Sequence, residues 1–191
     1  MQSQEKISLH TQTVLVLVCS IAYFYAYQLN LYWFDWFEFS YGTNWVYLPS
    51  GLRLLLVLVL PETGALAIAA ASLYINYSTG SPDAHVFNIV TSALSAAAPY
   101  VSRLIAIHFL NLSSELSGLT SAGFFKISVM FALFSATVHQ IWFYWQGVTD
   151  HWLESTFAMG MGDWLGTVLV LAFASLMIKG YKFMADTFVS R

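Results

Sequence analysis

Long apolar runs dominate this chain. Residues 155–178 hold one charged side chain, Asp163. Several other runs approach or exceed the roughly 20 residues that carry a helix across a bilayer. Only 9% of the 191 residues are charged, and 58% are hydrophobic. A soluble domain usually carries about a quarter charged residues. The chain is therefore read as all-α, a polytopic membrane helical bundle whose first partner is the lipid bilayer. A net charge of −3 and the lack of a basic patch argue against a nucleic-acid partner.

Six spans fit the pattern, at about 11–29, 45–60, 62–78, 84–110, 119–145 and 155–178, forming a single integral membrane domain. Lys6 precedes the first run, but no small-residue cleavage pattern follows it, so the first span is expected to be retained. The single cysteine, Cys19, excludes an intramolecular disulfide and a cysteine metal cluster. The connections at 30–44, the Ser81-Pro82-Asp83 turn region and 147–154 contain Asp35, Glu38, Asp83, Asp150 and Glu154 but no lysine or arginine. Lys6, Arg103, Lys126, Lys179, Lys182 and Arg191 fall in or toward the opposite face. By the positive-inside rule, both termini are expected to be cytoplasmic. Side chains that snorkel from helix ends account for Arg103 and Lys126.

The second span is irregular. Pro49 lacks an amide hydrogen and suits a first helical turn, and it pushes Leu48 toward an extended conformation. A helix from Pro49 to Leu60 spans only about 18 Å. Two readings stand. Either the residues before Pro49 enter the membrane extended, sheltered by protein or a wet cavity, or an ordinary helix kinks and tilts there. The connection at 31–39, Leu-Tyr-Trp-Phe-Asp-Trp-Phe-Glu-Phe, also has two readings: an interfacial aromatic belt, or a lid over a pocket between helices.

Arg53 is the residue that breaks the charge pattern, because it lies within a span. A guanidinium keeps its charge, so its cost in a bilayer is met by a partner, a cavity or a ligand. Counting about 1.5 Å per helical residue from the outer surface, Arg53, Asp163 and His139 all lie at roughly 12 Å depth. Gln140 is beside His139, and Asn76 and Asn88 lie nearer the surface. A guanidinium offers a bidentate fork to a carboxylate or an anionic ligand. The layer is read either as a structural ion pair with His139 merely hydrogen-bonded, or as a ligand or ion site. Gly162 and Gly166 have the spacing of small residues at a helix interface, and Asp163 lies between them. Trp164 either faces lipid or walls the site. No nucleophile elbow, P-loop, dinucleotide fingerprint or metal-ligand spacing appears, so the sequence points to no enzyme and names no cofactor.

Two motifs carry a family resemblance. Trp45-Val46-Tyr47-Leu48-Pro49-Ser50-Gly51-Leu52 resembles the Trp-Pro-x-Gly-Leu region of the type-one membrane-associated sensor (MASE) domain. Met161-Gly162-Asp163-Trp164-Leu165-Gly166 resembles that family's Gly-Asp-x-x-Gly segment in a late span, and the order is the same. Pro49, Gly51, Gly162, Asp163 and Gly166 carry the shared pattern. The resemblance implies a sensory module of the bacterial inner membrane that works with a histidine kinase or a cyclic-di-GMP enzyme. This chain departs from the pattern: Trp45 is not adjacent to Pro49, the spans are fewer, and little chain follows Ile178. The resemblance therefore implies a separate kinase or cyclic-di-GMP protein as the partner. The functional expectation is a sensor-like protein that binds a small ligand in the outer half of the membrane. A small-solute transporter using the same polar layer and a structural subunit of a membrane complex are the alternatives.

Overall fold

The computed structural model describes residues 8–80 and 83–189; Lys6, Arg191 and the Ser81-Pro82 turn lie outside them. Among the described residues there are six α-helices: α1 (Leu9–Phe34), α2 (Leu48–Val59), α3 (Pro61–Thr79), α4 (His85–Phe109), α5 (Ser121–Trp145) and α6 (Trp152–Val189). A 3-10 turn (Asp35–Phe37) and a small antiparallel pair, β1 (Glu38–Ser40) with β2 (Thr43–Asn44), connect α1 to α2. The protein is a membrane-embedded helical bundle. The helices α1, α4, α5 and α6 are long and apolar enough to cross a bilayer. Of the six expected spans, α2 has only 12 residues. The 19-residue α3 is diluted by Glu62, Asn76 and the hydroxyls of Thr63, Ser72, Ser78 and Thr79.

Side-chain pairings fix how the helices run. Asn76 meets Ser92 while Glu62 meets Tyr100, so α3 and α4 are antiparallel. Thr91 meets Trp142 while Ser95 meets His139, so α4 and α5 are antiparallel as well. Ser20 on α1 bonds the Ala67 carbonyl and Phe24 packs on Tyr74, which makes α1 and α3 parallel. The α2–α3 pair is a hairpin that turns at Leu60 and Pro61. The six helices thus alternate in direction. The 30–44 connection, the end of α3 with the start of α4, and the α5–α6 turn share one end, here called outer.

The second span begins extended. Residues 45–47 are not helical; they lie along α6, where the Tyr47 amide donates to the Gly162 carbonyl at 3.1 Å. Asn30 Oδ1 accepts from the Leu48 amide at 2.7 Å, occupying a donor that a helix start leaves open. Only glycine permits this approach. A Cβ on Gly162 would sit 1.9 Å from the Asn44 carbonyl oxygen, and one on Gly166 would sit 1.9 Å from that of Tyr47. One turn further, a Cβ on Gly51 would meet the Gly166 carbonyl oxygen at 2.7 Å. The sequence motif at 45–52 is therefore packed directly on the motif at 161–166.

Lipid is as apolar as leucine, so close packing rather than the hydrophobic effect holds such helices together. Small residues provide it: Ala67, Ala71, Ala96, Ala98, Ala132 and Ala136 are all buried. Toward the inner end, Leu54, Leu58, Ala106, Ile127 and Phe131 form a compact apolar cluster. Arg103 does not snorkel. It is buried there, and its Nη2 donates to the Ser114 carbonyl, which pins the α4–α5 connection. Lys126 is exposed. Helix α6 runs 38 residues, about 57 Å, well beyond its expected end at residue 178.

Candidate ligand site at the buried ion pair

Arg53 Nη2 donates to Asp163 Oδ1 at 3.0 Å, and both side chains are buried, at 4% and 2% exposure. Helix α2 aims Arg53 and α6 aims Asp163. The parallel seam between these helices sets their level. The Asp163 backbone carbonyl accepts from Ser50 Oγ at 2.9 Å and Thr167 Oγ1 at 2.7 Å, which fixes the α6 turn that carries the carboxylate. The guanidinium lies over the Tyr47 and Phe131 rings, 5.5 Å from each centroid, a favourable placement for a cation with little water.

This pair is the floor of a cavity of about 270 Å³. Tyr23, Tyr27 and Asn30 line it from α1; Ser72, Asn76 and Thr79 from α3; Thr91 and Ser95 from α4; Ser135 and His139 from α5. Asp35, Glu38 and Tyr41, all exposed, mark its mouth at the outer end. His139 does not touch the ion pair. Its Nδ1 lies 2.8 Å from the Ser135 carbonyl and its Nε2 lies 3.3 Å from Ser95 Oγ. With Nδ1 donating to that carbonyl, Nε2 is an acceptor facing the Ser95 hydroxyl.

The floor is incompletely satisfied by protein. Among the described residues, Arg53 Nε, Asp163 Oδ2, Ser72 Oγ and Ser135 Oγ are buried without a hydrogen-bond partner. Ser135 faces the Asp163 carboxylate but falls short of hydrogen-bond geometry. Each such atom costs on the order of 1–3 kcal/mol, more when charged. The four residues that carry them, on α2, α3, α5 and α6, line one cavity.

The connection at 31–39 divides its labour. Tyr32, Trp33 and Trp36 are exposed, as a headgroup belt requires, while Asp35, Glu38 and Tyr41 shape the mouth. The hairpin is held inside the bundle, because Gln140 Nε2 donates to Thr43 Oγ1 at 2.8 Å. Trp164 is not part of the cavity wall; it packs edge-on against Phe125 at 6.0 Å. His85 bonds Tyr77 at 3.0 Å at the outer end, away from the floor.

Depth counting brings out Arg53, Asp163 and His139, with Gln140, Asn76 and Asn88 near them, but not Asn30 or the hydroxyls around the pair. A usable signal exists. Tyr23, Tyr27 and Asn30, then Ser72, Asn76 and Thr79, then Asn88, Thr91 and Ser95 each follow a spacing of three or four residues. In an apolar helix this stripe must face the bundle interior. Pro99 adds a second signal, since it cannot donate to the carbonyl of Ser95, four residues back. Among the described residues no group of three His, Cys, Asp or Glu is placed to hold a metal ion. No family model, curated protein or solved structure matches the chain.

Proposed function

We propose that this chain is a sensor-type module of a bacterial inner membrane, with both termini cytoplasmic. It binds a small polar ligand from the outer side, between Arg53, Asp163 and the hydroxyl-rich walls. The change passes along α6 to a separate partner of the kinase or cyclic-di-GMP class. The resemblance of residues 45–52 and 161–166 to the MASE sensor supports this reading. The observation that carries it is the cavity itself: it is polar, it has an outer mouth, and its floor is a buried ion pair with unpartnered atoms. A pair that served only to tie α2 to α6 would need no such cavity.

The inner half is filled by Leu54, Leu58, Ile127 and Phe131, which favours binding over a through-path for a solute. Mass spectrometry of small molecules co-purified with wild type and with Arg53→Ala tests the proposal. A compound enriched in wild type supports it; identical profiles overturn it. Uptake into proteoliposomes that is lost in Asp163→Asn would instead favour transport.

A further inference from the structure

We infer that the ligand is a small zwitterion carrying an ammonium and a carboxylate a few bonds apart, the amino-acid class. This deepens the proposed function and rests on its choice of site. Three observations lead there. The first is size: about 270 Å³ lies just under the roughly 300–1,000 Å³ of pockets that take drug-sized ligands, so the occupant is compact.

The second is charge. The cavity is lined by one arginine and three carboxylates, Asp35, Glu38 and Asp163. Arg53 is already paired with Asp163, so a simple anion meets acidic side chains at the mouth and a neutralised cation at the floor. A simple cation would leave an uncompensated charge deep in the bundle. Every buried ion needs a well-placed partner to offset its lost water. A zwitterion adds no net charge, and each of its ionised ends finds an opposite one at the floor, Arg53 for the carboxylate and Asp163 for the ammonium.

The third is the character of the unpartnered atoms. Arg53 Nε is a donor on a cation and Asp163 Oδ2 is an acceptor on an anion. Charge-assisted hydrogen bonds are roughly twice as strong as neutral ones, so these atoms favour an ionised acceptor and an ionised donor over a neutral polyol. The carboxylate takes the guanidinium Nε–H edge, with Ser72 or Ser135 donating a hydroxyl. The ammonium donates to Asp163 Oδ2 beside the Tyr23 and Tyr47 rings. Neither charged atom is accessible in this structure, so binding requires each side chain to turn toward the cavity.

The test uses the full chain in lipid nanodiscs. The twenty amino acids are screened by thermal shift. Each hit is then titrated beside its decarboxylated amine, its deaminated acid and glycerol. The expected result is one or a few amino acids that bind saturably, with the amine and the acid weaker by about tenfold to a hundredfold, the value of one charged hydrogen bond. The inference is overturned if no amino acid binds, or if the amine, the acid or glycerol binds as well. Binding is also measured in Arg53→Met/Asp163→Leu, an apolar swap that removes the charges together, and in Ser72→Ala and Ser135→Ala. Loss in the swap and weakening in the serine variants are expected. Unchanged binding in all of them would place the ligand elsewhere and sink the site itself, whereas equal binding of amine or acid would sink only the ligand class.

Discussion

Adding one methyl group at Gly162 or Gly166 should be among the most damaging small changes in this protein. The Cβ of either alanine would lie 1.9 Å from a backbone carbonyl oxygen, of Asn44 or Tyr47 respectively, roughly 1.5 Å short of the 3.4 Å at which ordinary contact begins. A backbone acceptor cannot rotate aside as a side chain can, so the 44–47 segment must move off α6. That movement strains the bond from the Tyr47 amide to the Gly162 carbonyl and carries Arg53 away from Asp163, six residues along the same segment. Overpacking costs about 1–3 kcal/mol, and loosening a buried hydrogen bond adds about 1 kcal/mol. Alanine's better helix propensity returns about 1 kcal/mol. The net expectation is about 1–3 kcal/mol of destabilisation for Gly162→Ala or Gly166→Ala. Gly160→Ala is the internal control. Its Cβ would meet Ala136 Cβ at 3.6 Å, an ordinary contact, and the propensity gain should leave it neutral or slightly stabilised. Thermal unfolding of the three variants in one detergent ranks them. If Gly162→Ala and Gly166→Ala melt with Gly160→Ala, the packing of the extended segment against α6 is wrong.

Three further outcomes follow from the same geometry. Arg53→Ala or Asp163→Ala alone should cost about 3–5 kcal/mol, whereas Arg53→Met/Asp163→Leu should recover most of that loss; denaturant or thermal unfolding distinguishes a pair that tolerates joint replacement from two independent residues. Asn30→Ala removes the acceptor for the Leu48 amide and should cost about 1–2 kcal/mol, with faster hydrogen exchange at Leu48 as the local reading. Arg103→Ala releases the Ser114 carbonyl and should make the 110–120 connection more sensitive to protease; an unchanged digestion pattern would remove Arg103 as its anchor.

The helical class was legible because so few charges are spread over so many apolar residues, and no soluble arrangement accommodates that. Pro49 made the broken start of α2 visible, but not which of two geometries it would take. The choice depends on Gly162 and Gly166, more than a hundred residues away, and on Asn30. Counting depth brought Arg53, Asp163 and His139 to one level because helical rise is nearly constant. It could not show that His139 bonds Ser95 and Ser135 rather than the ion pair, since rotation about the helix axis decides that. Arg103 looked like a snorkelling residue because it sits near a helix end; the Ser114 carbonyl that binds it belongs to a connection with no sequence signature of its own. Tyr23, Ser72 and Ser135 were passed over because a lone hydroxyl in a membrane helix is ordinary, and only their helical spacing marks a shared face.

The proposed sensor role requires an element whose position both a ligand and a partner can bias, because a ligand shifts an equilibrium only by its differential affinity for the two states. Helix α6 meets the geometric requirement. It holds Asp163 at the cavity floor and continues without a break to Val189, past exposed Leu176, Met177 and Tyr181 at the opposite end. It is joined to the 44–53 stretch by close glycine contacts, the Tyr47 amide bond to the Gly162 carbonyl, Ser50 bonds to the Asp163 carbonyl and Thr167, a Trp45–Phe157 ring contact and the Arg53–Asp163 pair. The ion pair is the one link of that seam that a ligand at the cavity floor can exchange. The α3–α4 and α4–α5 pairs are joined by neutral bonds, Asn76–Ser92 and Trp142–Thr91, that lie away from the charged floor. Turning Asp163 toward a ligand loosens its bond to Arg53 and should displace α6 relative to α3–α5. Spin labels at Leu119 and Lys182 should report a changed distance on addition of an amino acid that binds, and no change in Asp163→Asn. A distance that stays fixed while binding saturates would make α6 a scaffold, and the signal would have to leave the site by another helix.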